Sequence, residues 1–397
     1  MKFDATRPLT LIVSTGQKIF VWGGNKIRSH ALRLFEPGVK SRMNDDRVTG
    51  DSRPTRSQTY FDDVIVRALL PAAKAVLSLI LLCPLMVSCS GVQSVLDPAG
   101  REAAGVATLF FAMLIGGAVI WVGVVVLLFY AARKKNAHSE QGAGKLILWG
   151  GAVMPCIVLG ALLSYAMWLM PNVRPFFSGG GEGLQQIDVT GEQYWWRVRY
   201  LDPDGSVAFE TANEIRMPVG ERVAFQLTSP DVIHSFWIPV LGGKMDMIPG
   251  RRNVLTLEGN KPGSYRGVCA EFCGTSHALM GFTVEVMEKP AYDAWLASRR
   301  SASGGGDAEG LALFLKNGCS ACHAISGTEA RGVIGPDLTA FGERGSVGAG
   351  TLGNSTADIA RFLRDPAGIK PGVRMPHYNM LPEAETDRIA QYLKGLR

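Results

Sequence analysis

Residues 269–280 read CAEFCGTSHALM, which places two cysteines, a histidine and a methionine within twelve positions. Thiolate and thioether sulfurs are soft ligands that suit copper, and imidazole suits it too. A second histidine, His234, lies 35 residues before Cys269 in the segment DVIHSFWIP. Two thiolates at this spacing can bridge a pair of metal ions with one histidine on each. Because an electron shared by two copper ions changes their geometry little, the stretch indicates a binuclear copper site that transfers electrons.

Other interpretations of Cys269 and Cys273 are a disulfide, a zinc site and ordinary core packing. A zinc site is built from cysteine, histidine and carboxylate ligands and does not use methionine. A disulfide or a core position would leave the neighbouring His277 and Met280 unexplained. The pattern therefore favours copper.

The copper motif lies inside a stretch with β character, residues 184–288. Short alternating runs are separated by turn sequences such as DPDG at residues 202–205. Several short strands at this spacing predict an all-β sandwich. Residues 289–300 then favour a helix. Residues 297–308 are predicted to contain a linker, because SASGGG at residues 301–306 has a flexible composition.

A second metal motif, CSACH at residues 319–323, lies in a C-terminal region that we predict as a small helical domain over residues 309–397. The pattern C-x-x-C-H is the attachment signature of c-type haem. The thiols of Cys319 and Cys322 would form thioether bonds to the porphyrin, and His323 would bind the iron. A thioredoxin-type motif would need a βαβ context, and a zinc site would need a second ligand pair. The sequence offers neither.

The second axial ligand of the iron is predicted from the segment RMP at residues 374–376, which precedes the C-terminal helix. Met375 is the favoured ligand, because histidine–methionine ligation suits an electron relay of high potential. Met380 is the alternative, and His377 is a weaker one.

Two long uncharged stretches, residues 103–132 and 146–173, are rich in apolar side chains. Since about 20 apolar residues span a bilayer, they predict a membrane hairpin over residues 95–175 with helices at about 104–131 and 146–170. Two helices buried in a soluble core are the alternative, and they would have to be apolar on every face. The loop between the stretches is basic, which predicts that it is cytoplasmic and that the chain after the hairpin is extracytoplasmic.

The segment before the hairpin has the features of a secretion signal. Residues 64–89 contain basic residues, an apolar run and the ending MVSC. This order is typical of a signal peptide, and the ending resembles a lipobox, which predicts that Cys89 is lipidated. A plain signal peptide or an uncleaved third helix is the alternative. Residues 1–63 have no assigned role, and we expect them to be absent from the mature protein.

The charge distribution argues against nucleic acid as a partner, although the chain of 397 residues has a net charge of +6. The whole surplus lies before Cys89, and residues 89–397 contain 28 basic and 28 acidic side chains. A balanced region lacks the basic footprint that nucleic acids need.

The copper segment resembles subunit II of haem–copper cytochrome c oxidases, which carries the copper A centre. The pattern C-x-E-x-C-G-x-x-H-x-x-M is matched at every position, and the segment MDMIPGR at residues 245–251 matches as well. The resemblance covers about residues 95–290 and implies a cupredoxin-like sandwich. It also implies a magnesium ion that the carboxylate of Glu271 shares with subunit I. The implied copper ligands are the side chains of His234, Cys269, Cys273, His277 and Met280 and the backbone carbonyl of Glu271.

The C-terminal region resembles a small class I cytochrome c, and a subunit II with this fusion resembles those of caa(3)-type oxidases. The likeness implies that a soluble or membrane-bound cytochrome c, or a similar donor, reduces a covalent haem c. Electrons would then pass through copper A to subunit I, whose haem and copper B reduce oxygen to water. Subunits I and III are implied as partners, in a bacterial inner membrane with the copper and haem domains on the periplasmic side. A nitric oxide reductase-type complex is the alternative.

Two positions depart from the family pattern. The aromatic run after Gly-x-Gln begins with Tyr194 rather than tryptophan and continues with Trp195 and Trp196. In the family the first aromatic receives electrons from soluble cytochrome c, and a tyrosine at this position puts that docking in doubt. We expect the tethered haem domain to dock near these three residues in place of soluble cytochrome c. Many members also carry a glutamate near the start of the second helix that feeds a proton channel, but residues 145–150 contain no carboxylate.

Overall fold

The computed structural model describes residues 90–133, 140–173, 183–304 and 306–397. The predicted signal segment with Cys89 and the N-terminal extension lie outside the described residues, so their roles stay predictions. The helices are α1 (Arg101–Arg133), α2 (Glu140–Leu148), α3 (Met154–Val173), α4 (Lys289–Arg300), α5 (Ala308–Lys316), α6 (Thr356–Arg364), α7 (Pro366–Ile369) and α8 (Glu383–Gly395). The strands are β1 (Gln185–Glu192), β2 (Trp195–Leu201), β3 (Val207–Ala212), β4 (Glu214–Pro218), β5 (Arg222–Thr228), β6 (His234–Trp237), β7 (Met245–Met247), β8 (Asn253–Glu258), β9 (Gly263–Cys269), β10 (Gly281–Met287), β11 (Ser346–Val347) and β12 (Leu352–Gly353).

The hairpin predicted from the uncharged stretches is formed by α1 and by α2 and α3, which a π-helical turn, Trp149–Val153, joins end to end. At 1.5 Å per residue, the 33 residues of α1 extend about 50 Å, well beyond the ~30 Å core of a bilayer. The buried residues of α1 are confined to its first two turns, and its large apolar side chains are otherwise mostly exposed. This exposure is the opposite of what two helices inside a soluble core would have. Both helical segments extend several residues beyond the predicted bounds.

The predicted β domain is a sandwich of two five-stranded sheets, ordered β3-β2-β1-β5-β8 and β4-β10-β9-β6-β7. Along β1, side chains alternate between the core and the surface, as expected for a strand with one buried face. Aromatic rings fill the space between the sheets, with the centroids of Trp196, Phe236 and Phe282 4.7–5.7 Å apart. The neighbouring strands β6, β9 and β10 carry the copper motif at their ends.

The C-terminal domain packs α5, α6 and α8 around its own apolar core, separate from the core of the sandwich. Its longest helix, α8, buries Ile389, Ala390, Tyr392 and Leu393, at the helical spacing that the sequence shows. The predicted change from a β domain to a small helical domain is confirmed.

The connection between the two domains is shorter than the predicted linker of residues 297–308. Helix α4 continues to Arg300, and the side chain of Asp307 caps α5. A cap residue belongs to its helix, because its side chain binds the first free backbone N–H groups. Residues 301–306 therefore form the connection.

Part of this connection is fixed on the haem domain, although its composition predicted flexibility. The backbone N–H of Gly304 donates to the carbonyl of Ser326 at 2.8 Å, and its carbonyl accepts from the hydroxyl of Tyr392 at 3.1 Å. A Cβ atom at this position would lie 1.9 Å from Ile325. Glycine at residue 304 is thus explained by close packing rather than by freedom of movement.

Candidate functional site

The copper motif lies where three neighbouring strands of one sheet end. Strand β9 ends at Cys269, β10 begins just after Met280, and β6 begins with His234. Phe236 of β6 pairs with Cys269 of β9, and β9 pairs in turn with β10. Antiparallel pairing therefore brings His234 beside the loop that joins β9 to β10, although the two are far apart in the chain.

Cys269 forms one half of the cluster. Its Sγ atom lies 3.8 Å from Nδ1 of His234 and 3.2 Å from the backbone oxygen of Glu271. His234 is fully buried, and Cys269 is 6% exposed. One thiol, one imidazole and one carbonyl thus face each other in a region closed to solvent.

Cys273 forms the other half. Its Sγ atom lies 3.6 Å from Nδ1 of His277 and 3.9 Å from Sδ of Met280. The Sγ atoms of Cys273 and Cys269 are 3.9 Å apart, and both thiols are free. The loop therefore presents two sulfurs with one imidazole and one further donor beside each, which is a donor set that fits two copper ions bridged by thiolates.

Asp231 orients the buried histidine. Its Oδ1 atom lies 2.9 Å from Nε2 of His234, which leaves Nδ1 free to face Cys269. Burial alone would raise the pKa of Asp231, but hydrogen bonds from Gln193, His234 and Val232 outweigh it and lower that pKa. The carboxylate is therefore ionised, as a group that fixes a ligand's tautomer should be.

The pKa values of the two thiols are shifted in opposite directions. The hydrogen bond between the two thiols lowers the pKa of Cys269 against the effect of burial, and the contact with His234 lowers it further. The same hydrogen bond, together with burial and the negative charge on Cys269, raises the pKa of Cys273. Since thiolate is the form that binds metal, the first deprotonation is favoured, and a cation must supply the energy for the second.

Glu271 lies on the outer side of the loop. Its carboxylate is 3.5 Å from Nζ of Lys244, and the side chain is about half exposed (47%). Its backbone carbonyl points inward while its carboxylate points outward. Within the described residues, His234, Cys269 and Cys273 are the one group of three histidine, cysteine or acidic side chains whose ligand atoms all lie within 4.8 Å of one another.

The haem motif lies at the wall of a cavity in the C-terminal domain. Cys319, Cys322 and His323 line one part of it and Met375 lines another, with apolar side chains of the domain core, such as Phe314 and Leu338, around them. A flat apolar macrocycle fits such a lining, and the two thiols lie where thioether bonds would form.

His323 is held in a fixed orientation. Its Nδ1 atom donates to the carbonyl of Pro336 at 2.8 Å, which leaves Nε2 free for iron. Burial lowers the pKa of His323, so the ring is neutral, as a metal ligand must be. A Cβ atom at Gly335 would lie 2.5 Å from the ring, which explains the glycine of the GPDL segment.

The structure separates the three candidates for the other axial ligand. Met375 lines the cavity and packs against the core. Met380 is 71% exposed, and His377 is exposed as well. Of the three, only Met375 is placed where an iron ligand could act.

The copper domain forms part of the wall of the haem cavity. Gln193, Tyr194 and Trp195 all line it. The amide nitrogen of Gln193 donates to the carbonyl of Cys273 at 2.7 Å, and the hydroxyl of Tyr194 accepts from the backbone N–H of Thr275 at 3.1 Å. Gln193 and Tyr194 thus each line the cavity of the haem motif and also bind the segment that carries the copper motif, residues 269–280, which we call the copper loop.

Trp196 occupies a different position from its two neighbours. It is fully buried in the sandwich core, and its indole N–H donates to the carbonyl of Met280 at 3.2 Å. The three aromatic residues predicted as one group therefore divide. Tyr194 and Trp195 line the cavity, whereas Trp196 holds the copper loop from within the sandwich core through its hydrogen bond to Met280.

The sequence interpretation missed Asp231 and Gln193. Asp231 stands three residues before His234, a spacing that could have suggested a carboxylate that orients an imidazole. Gln193 carried no comparable signal, because its role depends on the loop around residue 273 folding back over it.

The chain was compared with known families and proteins. The family "Cytochrome C oxidase subunit II, periplasmic domain" matches residues 185–287, and "Cytochrome c" matches residues 308–397. Cytochrome c oxidase subunit 2 of Alkalihalophilus pseudofirmus is 34% identical over 355 residues, which are 83% of this chain and 98% of that protein. The subunit 2 of Bacillus subtilis is 31% identical over 80% of this chain and 96% of its own length. The periplasmic domain of subunit II of the Bradyrhizobium japonicum cytochrome oxidase has 32% identity, covers 30% of this chain and 94% of that one, and has a TM-score of 0.28.

Proposed function

This chain belongs to the cytochrome c oxidase subunit 2 family and is part of an oxidoreductase complex, and we propose that it relays electrons from an external donor to the oxygen-reducing subunit. Electrons would enter through the haem domain, cross to the copper domain and leave towards the haem of subunit I. No bond to substrate is made or broken in this chain. Its residues act by position alone.

The copper domain would hold a binuclear copper centre and the C-terminal domain a covalent haem c, and both groups, when bound, accept and release single electrons. We propose Cys319 and Cys322 as the attachment points of the haem. His323 and Met375 are the proposed iron ligands. The proposed copper ligands are His234, Cys269, Glu271 through its carbonyl, Cys273, His277 and Met280.

The observation that carries the proposal is the shared wall between the two sites. Gln193 and Tyr194 line the haem cavity and bind the loop that contains the copper ligands. An electron carrier needs short, water-poor connections between its redox groups, and this wall is made of side chains rather than solvent. We propose that Tyr194 and Trp195 form the contact through which electrons reach the copper loop.

The two long apolar helices anchor the chain in a membrane, and we propose that both metal domains lie on the periplasmic side. The outward carboxylate of Glu271 would face subunit I and share a magnesium ion there. Its contact within the described part of the chain is Lys244, a cation that cannot bind magnesium, and we propose that the remaining magnesium ligands come from subunit I. Subunit III is the further proposed partner.

The complex purified with this chain should consume oxygen when supplied with a reduced cytochrome c, and should contain two copper ions and one covalent haem per chain in addition to the metals of subunit I. A Cys269→Ser variant should lose oxygen consumption driven by the donor while keeping its covalent haem. A Cys156→Ser variant is the matched control, because this cysteine lies on the exposed surface of α3. Unchanged donor-driven oxygen consumption in Cys269→Ser would contradict the proposal.

A further inference from the structure

Two buried basic side chains reach across the boundary between the copper domain, residues 185–287, and the haem domain, residues 308–397. One comes from each domain and binds the other. Arg197 belongs to β2 of the copper domain and is 6% exposed. Lys370 follows α7 of the haem domain and is 2% exposed. Neither is a metal ligand, and the electron relay described above does not use them.

Lys370 binds the copper loop. Its Nζ atom donates to the carbonyl of Leu279 at 2.9 Å and to the carbonyl of Gly348 in its own domain at 2.8 Å. Leu279 directly precedes the proposed copper ligand Met280. The next residue, Pro371, accepts a hydrogen bond from the hydroxyl of Ser276 at 2.5 Å. The segment around Lys370 is therefore seated on the copper loop.

Arg197 reaches the other way, into the haem domain. Its Nη2 atom donates to the carbonyl of Val333 at 3.0 Å and lies 3.4 Å from that of Ile334. These residues lead into Pro336, whose carbonyl accepts the hydrogen bond from His323. Arg197 therefore holds the loop that orients the proposed haem ligand.

The copper domain fixes the guanidinium of Arg197 before it reaches across. Its Nε donates to Glu192 at 2.7 Å and its Nη1 donates to Glu210 at 2.6 Å. The central carbon of the guanidinium, Cζ, lies 4.6 Å from the centroid of the Trp195 ring. With these partners in place, only one arm of the guanidinium points towards the haem domain.

We propose that Arg197 and Lys370 form a reciprocal clamp that selects one orientation of the haem domain on the copper domain, each cation binding main-chain carbonyls beside the metal ligands of the other domain. The inference rests on the proposed electron relay. A displaced orientation would bury these basic side chains without their carbonyl acceptors, and a buried polar group left without a hydrogen-bond partner is strongly unfavourable. An exposed ion pair could tether the domains but would discriminate little between orientations.

The test uses the intact oxidase complex with the variants Lys370→Met and Arg197→Lys. Arg197→Lys keeps a cation for Glu192 and Glu210 but loses the arm that reaches Val333. Lys316→Met is the matched control, since Lys316 is exposed and its ion pair among the described residues is with Glu385 of its own domain. The haem is first reduced by the donor, and its reoxidation is then followed after a pulse of oxygen.

Each clamp variant should reoxidise the haem about tenfold more slowly, the effect of losing one hydrogen bond. Donor reduction of the haem should stay unchanged. Hydrogen–deuterium exchange should increase in residues 275–281 of Lys370→Met and in residues 331–336 of Arg197→Lys. Lys316→Met should match the unaltered protein in all three measurements.

Reoxidation and exchange that both match the unaltered protein in the two clamp variants would overturn the clamp. If the unaltered complex itself passed no electrons from haem to copper, the proposed relay would be wrong. The hydrogen–deuterium exchange data would still show whether Arg197 and Lys370 hold the two domains together. Should Lys370→Met lose its haem, Arg197→Lys decides the question, because that change lies in the copper domain.

Discussion

The copper and haem sites differ in how much of each is assembled by the protein alone. The proposed copper ligands are in mutual contact at one end of the sandwich, and Cys269, Cys273 and Met280 belong to its packed core of aromatic and aliphatic side chains. The proposed haem ligands His323 and Met375 lie on the wall of a cavity, and that cavity is lined by residues of the domain core itself. The difference indicates that the copper domain folds around its own core, whereas the haem domain needs its cofactor to complete one.

Preventing haem attachment should therefore have the largest effect. In a Cys319→Ala, Cys322→Ala double variant the cavity of about 210 Å³ would stay unfilled, which at about 24 cal/mol per Å³ amounts to about 5 kcal/mol. This equals the whole stability of many small domains. We expect residues 308–397 to become sensitive to protease while residues 185–287 stay resistant. Equal resistance of both regions would show that the haem domain does not need its cofactor to complete its core.

Removing a copper ligand should act on the metal and spare the fold. Cys269→Ser replaces a buried thiol with a hydroxyl of similar shape, so the sandwich should stay folded. The mixed-valence copper spectrum should disappear, because serine cannot provide a bridging thiolate. A preserved spectrum would rule out Cys269 as a ligand, and protease sensitivity of the sandwich would show that this domain, too, needs its metal.

The same difference explains what the sequence could predict. The copper and haem motifs are local, so their spacing alone led to the proposed ligands, and the alternating strands correctly predicted the sandwich. Trp196 was grouped with Tyr194 because the two are close in sequence, although strand alternation turns Trp196 into the core. Arg197 and Lys370 could not be predicted, since their partners are backbone carbonyls of another domain and backbone carbonyls leave no mark in the sequence. The linker was predicted as flexible because a packed glycine and a mobile one look alike in composition.

Met375→Ala should remove the low-spin signature of the haem and leave it covalently attached. The reason is that Met375 lines the cavity, whereas Met380 lies outside it and is exposed. Met380→Ala is the matched control and should keep the spectrum of the unaltered protein. If the two variants exchanged these outcomes, Met380 would be the ligand. Absorption spectra of the purified complex would distinguish them.

Asp231→Asn should weaken copper binding by about 10–100-fold, the usual effect of losing a carboxylate that orients a ligating histidine. The carboxylate of Asp231 lies 2.9 Å from His234, and asparagine keeps the size but loses the charge. Titration with a copper chelator would measure the loss. Asp202→Asn, on the surface of the same sandwich, is the control. Unchanged affinity in Asp231→Asn would show that the cluster is oriented by packing alone.

A change of pH should leave both metal sites intact and should act only where the two regions meet. Burial lowers the pKa of Lys370 to about 7, although the nearby Cys273 opposes the shift, whereas an exposed lysine has a pKa near 10.4. Between about pH 7 and pH 10 the docked state therefore holds fewer protons than the undocked state, so docking strengthens as the pH rises, by at most about tenfold per unit. Below about pH 7 both states are protonated, and the dependence should vanish. Hydrogen–deuterium exchange of residues 275–281, corrected for its intrinsic pH dependence, should show more protection at pH 9 than at pH 7. Lys370→Met should show no such difference, and a difference that persisted in this variant would place the titrating group elsewhere.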